Sequence, residues 1–200
     1  MSLAEAPAGV LGADIGGTNI KWVHLVNGRL AAAGSLPTPG DGPSAVTAAI
    51  AAIARERSTA RLGVAVPGHL TPDMKRTKVI PNVAGDWDGF PLMDTLSQLA
   101  LMPAALINDA RAFAVAESAQ GAARDRPDAL FLTLGTGIGA AFMRSAVTRA
   151  LGARSALIGA AEILPAVLGT QAEAIGAALD VSDAELTERQ AGSKDVAPAT

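Results

Sequence analysis

The chain has 200 residues, half of them hydrophobic, and a formal net charge of −3 at pH 7. That length suffices for one domain or two small lobes, and the lack of a basic block argues against nucleic acid as a partner, since phosphate-backbone binding needs clustered Lys and Arg. The sequence contains no cysteine, which excludes disulfides, thiolate-bound zinc and thiol catalysis.

The N-terminal stretch MSLAEAPAGV lacks the charged segment and apolar core of a signal peptide. Charged residues interrupt the apolar runs well short of the roughly 20 residues that a bilayer span requires. We therefore expect a cytoplasmic protein with no membrane partner.

The first motif is a strand over residues 9–15, followed by Gly16-Gly17-Thr18 and a second β-rich run, IKWVHLV. The second run ends at Asn27-Gly28, a dipeptide typical of a β-hairpin turn that leads to a third strand. A strand follows the glycines. A Rossmann or P-loop motif would continue into a helix and would carry GxGxxG or GK[ST], so both motifs are excluded.

Two interpretations of this glycine turn remain open. It can be a tight turn in which glycine supplies a positive φ. It can also be a phosphate cradle, because glycine lets backbone N–H groups approach a phosphate closely. In the second case Asp14, at the end of the strand, would hold Mg²⁺ through water.

The chain then alternates between helices and strands. The spacing of Val46, Ile50 and Ile53 predicts a helix over residues 44–58. Strands are predicted at 61–66 and 103–107, and helices at 90–101 and 110–122. The order β-β-β-α-β-α-β-α predicts an α/β fold with a mixed sheet flanked by helices.

Asn108-Asp109 stands where a strand ends and a helix begins. Both residue types are favoured as helix N-caps, and the carboxyl ends of strands in α/β sheets are where ligands bind. Asp109 is therefore an N-terminal helix residue, a general base, or both. The lone histidines His24 and His69 are given no role.

A second strand, glycine turn and strand follow in ALFLTLGTGIGAAFM. Its glycines, with those of the first turn, could grip the phosphates of one nucleotide from two sides. We place an N-terminal lobe at 9–122, the start of a C-terminal lobe at 128–186 and a polar, loosely ordered tail at 187–200.

In order and spacing, the segments DIGGTNIK, VAVPG, IPNVAGDWDGFPL, INDARAFAVAES and LTLGTGIGAAF resemble the ROK family of sugar kinases and repressors, within the actin-like ATPase superfamily. The resemblance covers residues 10 to about 143. It implies a ribonuclease H-like fold that binds ATP, Mg²⁺ and a hexose or amino-hexose, with Asp109 as the base that takes the proton of the sugar hydroxyl. The residues implied to bind ATP and Mg²⁺ are Asp14, Gly16, Gly17, Thr18, Lys21, Gly135, Thr136, Gly137 and Gly139, and those implied to bind sugar are Gly68, Asn82, Asn108, Asp109 and Glu162.

The resemblance weakens after residue 143. Where the family has a GEIGH segment and a cysteine-rich zinc motif, this chain has GAAEILPAVLG and no cysteine, so we expect no zinc. About 60 residues follow the second hairpin, too few for a complete second lobe. The second lobe is thus expected to be incomplete, as in a fragment, a chain with segments missing or a reduced homologue. Its exposed apolar surface predicts a homo-oligomer such as a dimer.

The leading interpretation is an ATP-dependent hexose kinase of the glucokinase type. Only about nine residues precede the first strand, which disfavours the repressors, since these carry an N-terminal helix-turn-helix. Polyphosphate remains open as the donor. The alternatives are a non-catalytic protein that binds sugar or nucleotide, and a structural or interaction domain in which both glycine hairpins are plain turns.

Overall fold

The computed structural model describes residues 9–57, 59–126, 128–134, 138–144 and 164–192. A short 3-10 turn, Gly169–Gln171, precedes the helix that is labelled α4 below. In chain order, the strands are β1 (Val10–Ile15), β2 (Asn19–Val26), β3 (Arg29–Pro37), β4 (Arg61–Val66), β5 (His69–Leu70), β6 (Thr77–Val79), β7 (Ala104–Asn108), β8 (Asp128–Leu134) and β9 (Ile138–Arg144), and the helices are α1 (Pro43–Glu56), α2 (Leu92–Ala100), α3 (Asp109–Ala119) and α4 (Ala172–Gly192).

The main sheet has five strands in the order β3-β2-β1-β4-β7. β1, β2 and β3 pair antiparallel, whereas β1–β4 and β4–β7 pair parallel. The sheet is therefore mixed and flanked by helices, as predicted. The predicted turn between β2 and β3 is confirmed: Asn27 and Gly28 have φ values of 52° and 70°, the left-handed pair that a type I′ hairpin turn requires.

One face of the main sheet packs against α1 and α2. The predicted stripe on α1 is confirmed, because Val46 and Ile50 are fully buried and Ile53 packs against the same cluster. Burying such branched aliphatic side chains stabilises the fold by about 1.5–3 kcal/mol each. The other large members of this core are Leu11, Ile15, Ile20, Leu62, Val64, Val66, Leu92 and Leu96.

The other face of the sheet is covered by α4, which also packs against α3. Glycines make this close packing possible. A Cβ on Gly12 would lie 1.9 Å from the backbone oxygen of Ala174, and one on Gly63 would lie 1.9 Å from that of Ala177. Both distances are far inside van der Waals contact, so only a hydrogen atom fits between sheet and helix.

The position of α4 differs from the expectation in two respects. The division into lobes placed residues 128–186 in a second unit, whereas α4 lies on the sheet of the first. The tail expected from residue 187 is helical as far as Gly192. The physical reason is that a helix rich in alanine and glycine can pack closely on a sheet without large side chains.

Glu117 of α3 is the one glutamate fully buried among the described residues. Its Oε1 accepts hydrogen bonds from the backbone N–H groups of Val167 at 3.1 Å and Leu168 at 2.9 Å, and its Oε2 accepts one from Ala122 at 2.7 Å. One carboxylate thus joins α3 to the loop after it and to the segment that leads into α4.

We predict that Glu117→Ala lowers the free energy of unfolding by about 2–3 kcal/mol, because buried backbone N–H groups lose their acceptor. Urea denaturation followed by circular dichroism measures the loss. Glu56→Ala, at an exposed position of α1, is the control and should change stability by less than about 0.5 kcal/mol. Equal stabilities for the two variants would contradict this role.

Two short sheets lie outside the main one. β5 and β6 form one, and β8 and β9 form the predicted second hairpin. The strands β5 and β6 were not predicted, because they have only two and three residues and show no alternating pattern.

Within the described part of the chain, no helix has the length and apolar character needed to cross a membrane.

Candidate active site

The carboxyl ends of β1, β4 and β7 open onto one cleft with a volume of about 1130 Å³. Such an edge of an α/β sheet is where ligands commonly bind. The structure brings most of the predicted site residues together here. The cleft is lined by Asp14, Ile15, Gly16, Gly17, Thr18, Pro67, Gly68, His69, Leu70, Met74, Pro81, Asn82, Asn108, Asp109, Ala110, Arg111, Thr133, Ala140 and Glu173.

The first glycine turn joins β1 to β2. It is held by the Gly16 N–H, which donates to the Asn19 carbonyl at 3.2 Å, and by the Thr38 hydroxyl, which donates to the Gly16 carbonyl at 2.6 Å. Neither Gly16 nor Gly17 has a positive φ, so, of the two interpretations of this turn, the one that requires a positive φ is wrong. Glycine is needed for close approach instead: a Cβ on Gly17 would lie 2.5 Å from the Asn82 carbonyl oxygen.

Gly68 and Asn108 also line the cleft and lie next to each other. Gly68 has a φ of +80°, and a Cβ there would lie 2.2 Å from the Val79 carbonyl oxygen. The Gly68 carbonyl accepts a hydrogen bond of 3.1 Å from the Asn108 side-chain amide. The loop after β4 is thereby tied to the end of β7, and the predicted sugar-binding residues Gly68 and Asn108 are neighbours.

Asp109 is the first residue of α3, and Asn108 is its N-cap. The Oδ1 atom of Asp109 accepts from the Asn108 amide at 2.9 Å and from the Ala110 N–H at 2.8 Å. The Asn108 Oδ1 in turn accepts from the Arg111 N–H at 3.3 Å. Within the described residues, every hydrogen bond to the Asp109 carboxylate uses Oδ1. Oδ2 is left to accept a proton, so capping and a base role are compatible at this residue.

Asp14 is the second-last residue of β1 and is buried, and its Oδ2 lies 3.7 Å from Nζ of Lys21 in β2. Burial raises the pKa of Asp14 to about 7, and the negative charge of Glu173 adds to this shift while Lys21 opposes it. Lys21 is thus placed beside the site rather than among the residues that line the cleft. Its ammonium group holds the Asp14 carboxylate at the end of the glycine turn.

Glu173, in the first turn of α4, is a cleft residue that the sequence did not predict. Burial raises the pKa of its carboxyl group, and the nearby Asp109 raises it further. An acidic residue in a first helical turn is an ordinary feature. Only the packing of α4 on the main sheet shows that this one faces the cleft, which carries three carboxylates in its described lining.

Asp14 fits the Mg²⁺ role implied by the resemblance. Mg²⁺ is usually held by one or two carboxylates together with substrate phosphates and water, and a buried carboxylate with a raised pKa gains from a nearby cation. The described residues contain no group of three or more His, Cys, Asp or Glu side chains placed to hold a metal. The described residues therefore fit a Mg²⁺ ion that has Asp14 beside it and takes most of its ligands from substrate phosphates and water.

The raised pKa of Asp14 predicts a stability that falls as pH rises. Between its ordinary pKa of 3.8 and about 7, the folded chain holds a proton that the unfolded chain has released, so the free energy of unfolding decreases through this window and levels off above it. We predict that Asp14→Asn flattens this dependence and stabilises the chain at pH 8 by on the order of 1–3 kcal/mol. Urea denaturation at pH 5 and pH 8 in EDTA measures the free energy of unfolding of both chains. If that free energy depends on pH as strongly in Asp14→Asn as in the parent, the prediction is wrong.

Residues 10–149 match the sequence model of the ROK family. The chain belongs to the ROK family. It is 31% identical to a glucokinase from Halalkalibacterium halodurans, with 64% of this chain and 42% of the relative covered, and 35% identical to an N-acetylmannosamine kinase from Escherichia fergusonii, with 64% and 45% covered. This chain thus spans less than half the length of these curated relatives.

A solved structure, the inorganic polyphosphate/ATP-glucomannokinase from Arthrobacter sp. strain KM, superposes with a TM-score of 0.71 at 25% identity. The superposition covers 88% of this chain and 98% of the Arthrobacter chain. The resemblance to the ROK family and the expected ribonuclease H-like, actin-like ATPase fold are therefore confirmed.

Several predicted residues lie outside the residues that the structure describes: Gly135, Thr136 and Gly137 of the second hairpin turn, and Glu162. Gly139 pairs with Thr133 across the β8–β9 hairpin. Thr133 and its neighbour Ala140 line the cleft, which brings the base of the second hairpin to the first.

Other lining residues were missed for identifiable reasons. His69 lines the cleft although the sequence assigned it no role, because β5 and β6 carry it there. Arg111 lies in the first turn of α3 two residues after Asp109, a spacing that places side chains about 200° apart around a helix, so the sequence carried no signal that Arg111 lines the cleft. In this ROK chain, the described lining of the cleft includes one carboxylate that the motifs did not predict, that of Glu173.

Proposed function

We propose that this chain transfers a phosphoryl group from ATP to a hydroxyl of a hexose or amino-hexose. The observation that carries the proposal is the position of Asp109: its carboxylate is fixed at the end of β7, in the same cleft as the Gly16–Thr18 turn. A base and a candidate phosphate cradle therefore face one volume large enough for both substrates.

The chemistry asks for positioning and charge neutralisation more than for covalent catalysis. In our proposal the sugar lies against Gly68, Asn82 and Asn108, and Glu162 contributes a further contact. Oδ2 of Asp109 takes the proton of the attacking hydroxyl as the new P–O bond forms. Such a base is typically worth about 10²- to 10⁴-fold in rate.

The donor site is proposed to comprise the two glycine turns. The backbone of Gly16, Gly17 and Thr18 forms one side, and Gly135, Thr136, Gly137 and Gly139 form the other. Mg²⁺, held through water by Asp14, would neutralise charge on the donor phosphates when bound. Lys21 keeps the Asp14 carboxylate in place for this role.

Polyphosphate is a second candidate donor. The Arthrobacter structure is of an enzyme named for both polyphosphate and ATP. The proposed contacts of the Gly16–Thr18 turn are to phosphate and do not distinguish a nucleotide from polyphosphate. A competition between ATP and polyphosphate in one reaction, with the sugar phosphate measured directly, distinguishes the donors.

The sugar class rests on the two curated relatives, which are named for glucose and for N-acetylmannosamine. A coupled assay with Mg²⁺ and ATP across glucose, mannose, N-acetylglucosamine and N-acetylmannosamine tests the proposal. Turnover of any one of them supports it. Sugar or nucleotide binding by calorimetry without turnover would instead identify a non-catalytic ROK homologue, and no binding of either would identify an interaction domain.

The expected homo-oligomer remains a prediction. The outward face of the β8–β9 hairpin carries Leu130, Leu132 and Phe142, each more than half exposed, and such a contiguous apolar patch is typical of an interface. Static light scattering on the purified chain tests it, and a monodisperse monomer would count against a dimer.

A further inference from the structure

The charge of the cleft poses a problem for an anionic ligand. Its described lining contains the carboxylates of Asp14, Asp109 and Glu173 but only one Lys or Arg side chain, that of Arg111. Like charges a few ångströms apart repel by about 1 kcal/mol even in water and by more in a partly buried site. A phosphate chain entering this cleft therefore needs positive charge close to the point of transfer.

Lys21 cannot fully supply that charge, because its ammonium group is paired with Asp14 at 3.7 Å. Arg111 is different. Its side chain is exposed, and within the described residues it makes no hydrogen bond or ion pair, although carboxylates share the same cleft. The guanidinium group is thus available to an anion from solution.

The backbone of Arg111 is held by the same residue that orients Asp109. The Arg111 N–H donates to Oδ1 of Asn108, while the side-chain amide of Asn108 donates to Asp109. Asp109 and Arg111 therefore belong to one capped helical turn, and both residues line the cleft. The partial positive charge at the N-terminus of α3 adds to that of Arg111.

We propose that Arg111 binds the phosphoryl group at the point where it passes to the sugar, an inference that rests on the proposed kinase function. The bond between the transferred phosphorus and the donor oxygen breaks, a bond to the sugar oxygen forms, and the hydroxyl proton goes to Asp109. Arg111 keeps its proton and forms no covalent bond. Its planar guanidinium donates two parallel hydrogen bonds to phosphoryl oxygens, a geometry that Lys does not reproduce.

The first test compares Arg111→Gln and Arg111→Lys with the parent chain in the coupled assay. We expect Arg111→Gln to lower kcat by about 10²-fold, as loss of a charge-stabilising donor does, with KM for the sugar changed by less than about twofold. Arg111→Lys should recover only part of the loss. The control is Arg29→Gln, at the exposed first residue of β3, which pairs with Val26 at the end of β2 that lies away from the glycine turn. This variant should behave as the parent does.

The second test measures binding of inorganic pyrophosphate by calorimetry, which needs no turnover. We expect Arg111→Gln to weaken it about tenfold and Arg29→Gln to leave it unchanged. Circular dichroism and the thermal midpoint confirm that the variants are folded.

The outcomes separate the two proposals. A parent that turns over no sugar overturns the kinase function, and the pyrophosphate experiment then decides the inference about Arg111 alone. A parent that binds no pyrophosphate, or an Arg111→Gln variant that binds it as tightly as the parent, overturns the inference. An unchanged kcat in Arg111→Gln overturns it as well, even when the parent is an active kinase.

Discussion

Asp109→Asn is expected to lower kcat for sugar phosphorylation by about 10²- to 10⁴-fold and to leave the fold unchanged. The Asn side chain retains an Oδ1 that accepts from the Asn108 amide and from the Ala110 N–H. The substitution replaces only Oδ2, the atom that we propose takes the proton. It therefore separates the base role from the capping role, which Asp109→Ala would not do, although we expect Ala to abolish turnover too.

A direct measurement of sugar phosphate, with the thermal midpoint recorded in parallel, tests this prediction. Asp125→Asn is the matched control, because Asp125 is exposed after the end of α3 and lies away from the cleft; it should keep the parental rate. If Asp109→Asn phosphorylates sugar at the parental rate, another group accepts the proton and the assignment of Asp109 is wrong.

Gly176→Ala is expected to lower the free energy of unfolding by about 3 kcal/mol or more. A Cβ at this position would lie 1.7 Å from the backbone oxygen of Ala112 in α3, and neither backbone can move without disturbing the main sheet below. Overpacking typically costs about 1–3 kcal/mol when side chains can adjust. Here the obstacle is main chain, so the cost lies at or above that range.

Urea denaturation of Gly176→Ala beside Gly40→Ala measures the effect. A Cβ on Gly40 meets nothing within 4 Å and its φ is not positive, so this control should be neutral or stabilise by up to about 1 kcal/mol through the unfolded chain. Equal stabilities for the two variants would show that α3 and α4 do not approach as closely as described.

The sequence predicted the parts of the fold that local chemistry determines. The Asn27-Gly28 turn is one, because few other dipeptides adopt two successive left-handed conformations. The buried stripe of α1 is another, since large aliphatic side chains at helical spacing leave few alternatives. Asn108 and Asp109 were placed correctly at the end of a strand because strand end and helix cap coincide there.

What the sequence could not predict depends on how distant segments pack. The place of α4 was missed because it buries alanine and glycine, and these residues produce no apolar stripe. Glu173 was missed with it, because only the packing of α4 brings this residue to the cleft. The close approach of Gly17 to Asn82 was not predicted for a similar reason, because the two residues are distant in sequence.

The packing of α4 on β1 and β4 also determines when the chain can fold. Among the described residues, the second covering layer on β1 and β4 comes from residues 172–181 of α4, so this layer is added only after the rest of the main sheet has been synthesised. A nascent chain of this kind must keep that apolar face from aggregating until α4 has been synthesised. Contacts so far apart in sequence also favour slow folding, and we expect the refolding of this chain to depend on chaperones.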